Sequence, residues 1–280
     1  MVATPIGNLA DIGLRALHVL DLVDAIACED TRHTQGLLKL YGIAKPLLPV
    51  HEHNEAEAAV QVLQRLQAGE RVAYVSDAGT PAVSDPGARL VAAARAAGLK
   101  VVPLPGASSV TAALSVAGLS GSSAFAFAGF LPSKSSEREE AVRSMASEAR
   151  AVVLLEAPHR IEALAQALGM LGERRVTVGR ELTKQFEEIA TVPAAELGAW
   201  LAAGEHRTRG EFALVLHPPE AQEPDALAEA ERVLGLLLAE LPLKSAVRLA
   251  SEITGAPRNA LYERALALKD AAKASAPAGE

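Results

Sequence analysis

The chain has 280 residues, half of them hydrophobic and only 3% aromatic, with a formal net charge of −7. That length supports two domains with cores of Ala, Val, Leu and Ile, and the acidic balance excludes nucleic-acid binding through a uniformly basic surface, though not through a local basic patch. Cys28 is the only cysteine, so no intramolecular disulfide forms; with no basic-then-apolar leader and no apolar run of roughly 18 residues, a cytoplasmic protein without a membrane span is expected.

Strand and helix signals alternate through the leading part of the chain. Val2 to Thr4 reads as the end of a strand broken by Pro5-Ile6-Gly7-Asn8, and Leu14, Leu17, Leu20 and Val23 share one helix face. Ala25 to Cys28 is a short apolar strand that ends in Glu29-Asp30-Thr31-Arg32. Asn54 is a candidate N-cap with Glu57 three residues on; the stripe Val60, Leu63, Leu66 follows and Gly69 stops the helix. Val72 to Val75 is a β-branched run stopping at Ser76-Asp77, followed by a small-residue loop through Gly87 and a helix from about Ala88 to Ala97. Val101 to Leu104 reads as a strand, and Pro105-Gly106-Ala107-Ser108-Ser109 turns into another helix. Strands alternating with helices imply a parallel α/β layer structure.

Leu119 to Ser123 is the expected boundary, giving a first α/β domain at 1–119 and a second at 122–219. In the second, strands are expected at Phe125–Phe130, Val152–Glu156, Val176–Glu181, Phe186–Thr191 and Phe212–His217, the third and fourth antiparallel across a short turn and the sheet therefore mixed. Pro218-Pro219 closes this domain, and residues 220–280 read as an acidic lead (Glu220, Glu223, Asp225, Glu229, Glu231) into a helical tail with a frayed end. Leu241 to Ile253, then Gly255-Ala256-Pro257 and a helix starting near Arg258-Asn259, has the pattern of a helix-turn-helix. Between Glu240 and Lys273 six basic residues (Lys244, Arg248, Arg258, Arg264, Lys269, Lys273) face four acidic ones, a local excess of two. The pattern fits nucleic-acid phosphate contact by Lys244, Arg248 and Arg258, or an amphipathic helix pair that packs on the body or on a second subunit.

In an open α/β sheet, ligands bind beyond the carboxyl ends of the strands. Three turns leave strands there, around Pro5, Asp77 and Gly106, and all are rich in Gly, Pro, Ala and Ser, which lets backbone approach a ligand closely. Asp77 and Asp85 add negative charge suited to a cationic ligand. Read singly, each turn is an ordinary βα connection. No G-x-G-x-x-G, no P-loop string and no G-x-S-x-G is present, which removes the main support for dinucleotide, P-loop and α/β-hydrolase readings. His51-Glu52-His53 with Glu55 could converge on a metal, but a third ligand cluster is missing, so no metal site is expected.

Nine strings in order along the chain carry a resemblance: V-A-T-P-I-G-N-L-A-D-I at 2–12, E-D-T-R-H-T at 29–34, H-E-H-N-E at 51–55, V-S-D-A-G-T-P-A-V-S-D-P-G at 75–87, V-V-P-L-P-G at 101–106, G-F-L-P-S-K at 129–134, E-A-P-H-R at 156–160, R-E-L-T-K at 180–184 and L-P-L-K at 241–244. The chain resembles the tetrapyrrole methylase superfamily and, within it, the family of 16S ribosomal RNA cytidine 2′-O-methyltransferases. It departs in having few residues before V-A-T-P, so a shortened first strand is expected, and in carrying Leu155 where an aromatic is common. The resemblance implies two α/β domains of tetrapyrrole methylase type, a parallel-sheet N-domain and a mixed-sheet C-domain, plus the helical tail. It also implies S-adenosyl-L-methionine as cofactor in the cleft, at Pro5, Asp77, Ala78, Gly79, Ser108, Ser109 and Leu155, and a cytidine at the position conventionally numbered 1402 as target. The expected partner is 16S rRNA within the 30S subunit, with no DNA and no membrane; the family resembled tends to form homodimers.

A neutral sugar hydroxyl is a poor nucleophile, so a proton acceptor is useful and must stand at the cleft. Glu181 and Lys184, at one strand end, and Asp30 and Arg32, at another, are the candidates; Lys184 or Arg32 could instead hold a phosphate, and Glu181 and Asp30 could be structural partners of Arg180 and Arg32. Lys134, Arg138, His159 and Arg160 are further basic residues expected near the cleft. Two other readings stay open: a tetrapyrrole C-methylase of the same fold, and a non-catalytic rRNA-binding assembly factor.

Overall fold

The computed structural model describes residues 1–51, 54–120, 123–219 and 226–274, with side chains for all of these except 226–229 and 269–274. Glu52 and His53, Gly121 and Ser122 of the expected boundary, Glu220, Glu223 and Asp225 of the acidic lead, and the last six residues lie outside the described residues, as do the side chains of Glu229, Lys269, Asp270 and Lys273. The chain forms two compact units, Met1–Pro219 and Glu220–Glu280.

In the first unit, α1 (Leu14–Leu22), β1 (Ala25–Cys28), α2 (Thr31–Leu40), β2 (Leu47–Pro49), α3 (Glu55–Gln67), β3 (Val72–Val75), α4 (Ala88–Ala96) and α5 (Ser109–Val116) follow one another. β1 lies between β2 and β3, with both pairs parallel. The sheet is extended beyond β3 by backbone alone: the Val2 amide donates to the Tyr74 carbonyl at 2.9 Å, and Leu104 donates to Met1 at 2.9 Å. The strands expected at Val2–Thr4 and Val101–Leu104 are thereby reduced to the single parallel bridge Val2–Leu104, with a second bridge from Thr4 to Gly79. Pro5, Pro103 and Pro105 have no N–H to donate, so neither segment can prolong its ladder.

Helix faces differ from expectation where alanine carries the packing. In α3 the buried residues are Glu55, Ala58, Ala59 and Val62, whereas Val60 is 54% exposed. The small alanines let the helix lie close on Ala27 and Tyr74, which a larger apolar stripe would prevent. In α1, Leu14 is 86% exposed, while Leu20 of the expected stripe is buried together with Ala16. Asn54 stands at the N-cap of α3 without capping it: its side chain accepts from the His51 amide at 2.8 Å and donates to the Pro49 carbonyl at 3.1 Å. Glu55 turns inward and accepts from the Gly87 and Arg89 amides, both at 3.0 Å, so this buried carboxylate caps the start of α4 from across the fold.

The second sheet contains β4 (Phe125–Gly129), β5 (Ala151–Glu156), β6 (Arg175–Arg180), β7 (Glu188–Pro193) and β8 (Phe212–Leu216), in the order β4-β5-β8-β6-β7. Only β4 and β5 are parallel; the other pairs are antiparallel, including β6 with β7. Strand alternation divides two cores. Val152 and Leu154 of β5 with Phe212, Leu214 and Leu216 of β8 pack under α6 (Ser135–Met145), α7 (Ile161–Leu168) and α8 (Leu197–Ala202). Ala151, Val153, Ala213 and Val215 face the other way, against Val110 and Ala113 of α5.

The second unit is a three-helix cluster of α9 (Ala226–Glu240), α10 (Leu243–Thr254) and α11 (Arg258–Ala274) around Ala230, Leu234, Ala246, Val247, Ala250, Leu261 and Ala265. α10 ends at Gly255, whose φ of 74° is the left-handed conformation glycine adopts without strain. Pro257 then precedes α11, at the turn read from the sequence.

Candidate active site

Register brings the site together. Glu156 and Arg180 both lie opposite Phe212, so the carboxyl ends of β5 and β6 and the start of β8 stand level at one sheet edge. The turns after β3 and before α5 approach the same edge, because α5 packs on this sheet. Between them is a cavity of about 270 Å³. One side is formed by Ala78, Gly79, Ser84, Asp85, Ser108 and Ser109, the other by Phe130, Leu155, Pro158, Leu182, Lys184 and Glu211. Ala78, Gly79, Ser108, Ser109, Leu155 and Lys184 are thus gathered on one cavity. Pro5 and Asp77 do not line the cavity: Pro5 is buried, its neighbour Ile6 takes the lining position, and the Asp77 carboxylate accepts from the Asp30 amide at 3.1 Å.

The loops facing the cavity carry backbone strain. Ala82, Ser84, Glu181 and Thr183 are the four non-glycine residues with positive φ among the described residues, at 67°, 68°, 51° and 67°. Such conformations persist where surrounding structure over-determines them, typically around ligand sites. The two loop systems also touch directly, the Asn8 amide donating to Thr183 Oγ1 at 3.1 Å. Gly79 has φ of 79°, and a Cβ there would stand 3.3 Å from the Ile6 side chain, so glycine keeps this wall open to a ligand.

Charge is divided between the two ends. Near the first sheet, burial pushes the Asp85 carboxyl up despite a hydrogen bond from Ser76, and burial followed by repulsion from Asp77 and Asp85 pushes Glu29 up. Of these three carboxylates, Asp85 is the one on the cavity lining. At the other end, Lys184 Nζ lies 2.8 Å from Glu181 Oε1 and 2.9 Å from Glu211 Oε2, and Glu181 Oε1 also accepts from the Glu211 amide at 2.9 Å. Burial alone would raise the Glu181 carboxyl; the hydrogen bonds from Lys184 and the Glu211 amide outweigh it and leave the group below its ordinary value. Burial alone would lower the Lys184 ammonium; its two carboxylate partners outweigh that and hold it above. At neutral pH both are charged. Lys184 is a cation donor, and Glu181 is a weakened base that anchors it.

Asp30 and Arg32 lie outside the cavity. Asp30 caps α2, accepting from the Arg32 amide at 2.8 Å, and pairs with the Arg32 guanidinium at 2.9 Å. Those hydrogen bonds hold Asp30 at about 2, and Arg32 is 90% exposed. Arg160 is committed to structure: it pairs with the fully buried Glu156 at 3.0 Å and donates to Ser133 Oγ at 3.1 Å and to the Leu131 carbonyl. Arg138 is buried and donates to the Ser133 carbonyl at 3.0 Å. Lys134 and His159 are exposed, Lys134 paired with Glu137. In the second unit Lys244 is exposed, while Arg248 and Arg258 share the Glu252 carboxylate. Sequence reasoning missed Glu29, Phe130 and Glu211. Glu211 directly precedes β8 and meets Glu181 only through the antiparallel β6–β8 register, a relation no local pattern carries. Among the described residues, no group of three or more His, Cys, Asp or Glu could hold a metal.

Residues 1–198 match the family profile described as Tetrapyrrole (Corrin/Porphyrin) Methylases, and residues 224–269 match the one described as RsmI C-terminal HTH domain. The chain is 50% identical over 268 residues to Ribosomal RNA small subunit methyltransferase I of Escherichia coli O157:H7, covering 95% of this chain and 93% of that protein. It is also 50% identical over 271 residues to the protein of the same name from Pseudomonas aeruginosa, covering 95% of each. Among solved structures it is similar in fold to diphthine synthase, with a TM-score of 0.60 at 16% identity over 77% of this chain and 88% of that one. A uroporphyrin-III C-methyl transferase from Thermus thermophilus complexed with S-adenyl homocysteine gives a TM-score of 0.52 at 19% identity, over 76% and 94% respectively.

Proposed function

Because the chain belongs to the tetrapyrrole methylase family and, within it, groups with the ribosomal RNA small subunit methyltransferases I, we propose that it methylates small-subunit ribosomal RNA from S-adenosylmethionine, at the ribose 2′-oxygen of a cytidine. The cytidine is the one conventionally numbered 1402, the substrate is the 30S subunit, and the enzyme works in the cytoplasm as a homodimer. A tetrapyrrole substrate and a non-catalytic assembly role are not favoured. Relatives at half identity carry the ribosomal RNA name, and a match to the helix-turn-helix profile covers the tail.

The observation that carries the reading is the convergence of Ala78-Gly79, Ser108-Ser109 and Leu155 on one cavity with a negative end and a lysine end. When bound, S-adenosylmethionine supplies a sulfonium-activated methyl group. Gly79 and the small residues beside it offer backbone to such a ligand without side-chain obstruction, and Asp85, on the same lining, would face its cationic groups. Lys184, held charged by Glu181 and Glu211, suits a nearby phosphate or the charge developing on the ribose oxygen. Holding that oxygen in line with the methyl group is the larger contribution, since the leaving group needs no further activation. Lys244, Arg248 and Arg258 of the second unit, with Lys134 and His159 of the first, would contact rRNA phosphates; Arg160 would support them by fixing their loop. β4 is an edge strand with Phe125 and Phe127 exposed, an apolar edge of the kind a second copy covers.

The test is incubation with methyl-labelled donor and either 30S subunits or naked 16S rRNA, followed by alkaline hydrolysis of the RNA. The expected result is label in 30S particles and one phosphodiester made resistant to alkali by a blocked 2′-oxygen. Label on a base would overturn the ribose assignment, and label in neither substrate would favour the assembly role.

A further inference from the structure

The cavity of about 270 Å³ lies just below the range of roughly 300–1,000 Å³ usual for sites that hold one drug-sized ligand. A nucleoside within a ribosomal RNA chain would reach such a site from its mouth. Two phenylalanines line the cavity. Phe212 is 3% exposed and belongs to the core under the second sheet, whereas Phe130 is 51% exposed. Phe125, Phe127 and Phe186 are exposed too, but of these four rings Phe130 alone is on the cavity lining. Val83, also on the lining, is exposed as well, so the mouth is apolar.

The segment bearing Phe130 is held from both sides. Gly129 before it has φ of 64°, and a Cβ there would stand 3.1 Å from Ser84 Oγ, so the chain passes close to the opposite loop. After it, Arg160 donates to Leu131 and Ser133, Arg138 donates to Ser133, and Arg160 is itself fixed by the buried Glu156. A held, exposed aromatic ring on the lining that also carries the charged Lys184 is an arrangement suited to stacking an unpaired base while holding its backbone. We propose that Phe130 is the platform on which the base of the target nucleotide stacks, with Glu156 and Arg160 as positioning residues for its loop. This rests on the reading that the substrate is RNA.

The test compares wild type with Phe130→Ala, Phe130→Leu and Phe130→Trp, each folded by thermal unfolding, for methyl transfer to 30S subunits and for S-adenosylmethionine affinity by calorimetry. Phe130→Ala should lower kcat/KM for 30S roughly tenfold to hundredfold, as loss of one base–aromatic stack does elsewhere. Phe130→Trp should keep most of the activity, Phe130→Leu should behave as Phe130→Ala, and donor affinity should stay at the wild-type level in all three. Full activity in Phe130→Leu would show that apolar bulk suffices, and a parallel loss of donor affinity would show that the ring serves the donor; either overturns the proposal, as does a Phe130→Ala enzyme equal to wild type. If wild type itself transfers nothing to 30S, the RNA reading fails first and the stacking proposal with it.

Discussion

Lys184 sits between two carboxylates, and its neighbours are arranged so that it cannot lose its proton near neutrality. Glu181 makes this possible from a positive-φ backbone, with its carboxylate lying over Gly210, where any side chain would collide with it. The pH dependence follows. Glu181 lies below its ordinary 4.5, so its contribution to stability is complete above that pH and is lost as pH falls through the lowered value. Lys184 lies above its ordinary 10.5, so its contribution is complete below that pH and is lost as pH rises through the raised value. Urea unfolding of wild type and Glu181→Gln should therefore show a stability gap that is flat from about pH 5 to 10 and closes in acid; a gap that persists at low pH would mean that the charge of Glu181 is not what matters. The same variant should lose turnover far more than donor affinity, since Glu181 touches Lys184 and not the small-residue turns.

At the scale of elements, the segment from Gly129 to Lys134 is tied by two guanidiniums, Arg138 and Arg160, and Arg160 is the one held by a buried carboxylate. Glu156 is fully buried and Arg160 is its ion-pair partner, so Arg160→Met leaves a carboxylate stranded in the core. Breaking a buried pair from one side costs about 3 kcal/mol or more, whereas replacing both partners costs less. Chemical denaturation should show Arg160→Met strongly destabilised and the double variant Glu156→Gln/Arg160→Met partly restored; a fully exposed surface arginine would give no such pattern. Arg160 also shows what could be read in advance and what could not. Its place after a strand was legible from E-A-P-H-R, and its basic charge suggested RNA, but its inward turn depends on a loop about thirty residues earlier in the chain. The same holds elsewhere. β1, β3, β5 and β8 are visible as apolar runs, and the βα turns as clusters of small residues. The buried face of α3 was misplaced because alanines pack by closeness rather than by hydrophobic weight, and the Asn54 cap fails because its side chain is taken by the His51 amide and the Pro49 carbonyl. Glu211 and Phe130 were illegible because cross-strand register and exposure are tertiary properties.

For the molecule as a whole, binding and chemistry are assigned to different surfaces, and each leaves a different signature. A protein of net charge −7 can hold RNA only through local cationic groups, and those of the second unit are partly neutralised, Arg248 and Arg258 sharing Glu252. If Lys244 and Arg258 contact phosphates, each Ala substitution should weaken 30S binding across all salt concentrations and flatten the plot of log affinity against log salt by about 0.7 to 0.9 for every phosphate no longer neutralised. Donor affinity, measured on the same proteins by calorimetry, should not move. An unchanged salt slope would return the tail to a packing role.

Cys28, the chain's only cysteine, lies completely buried at the end of the central strand of the three-stranded sheet. Burial outweighs the hydrogen bond with Thr34 and pushes its thiol up, which keeps it protonated. A thiol-reactive dye added to native protein can therefore attach only during excursions that bare this strand. The protein thus comes with its own clock for local opening, and slowing of that clock by a ligand would register occupancy without any installed label.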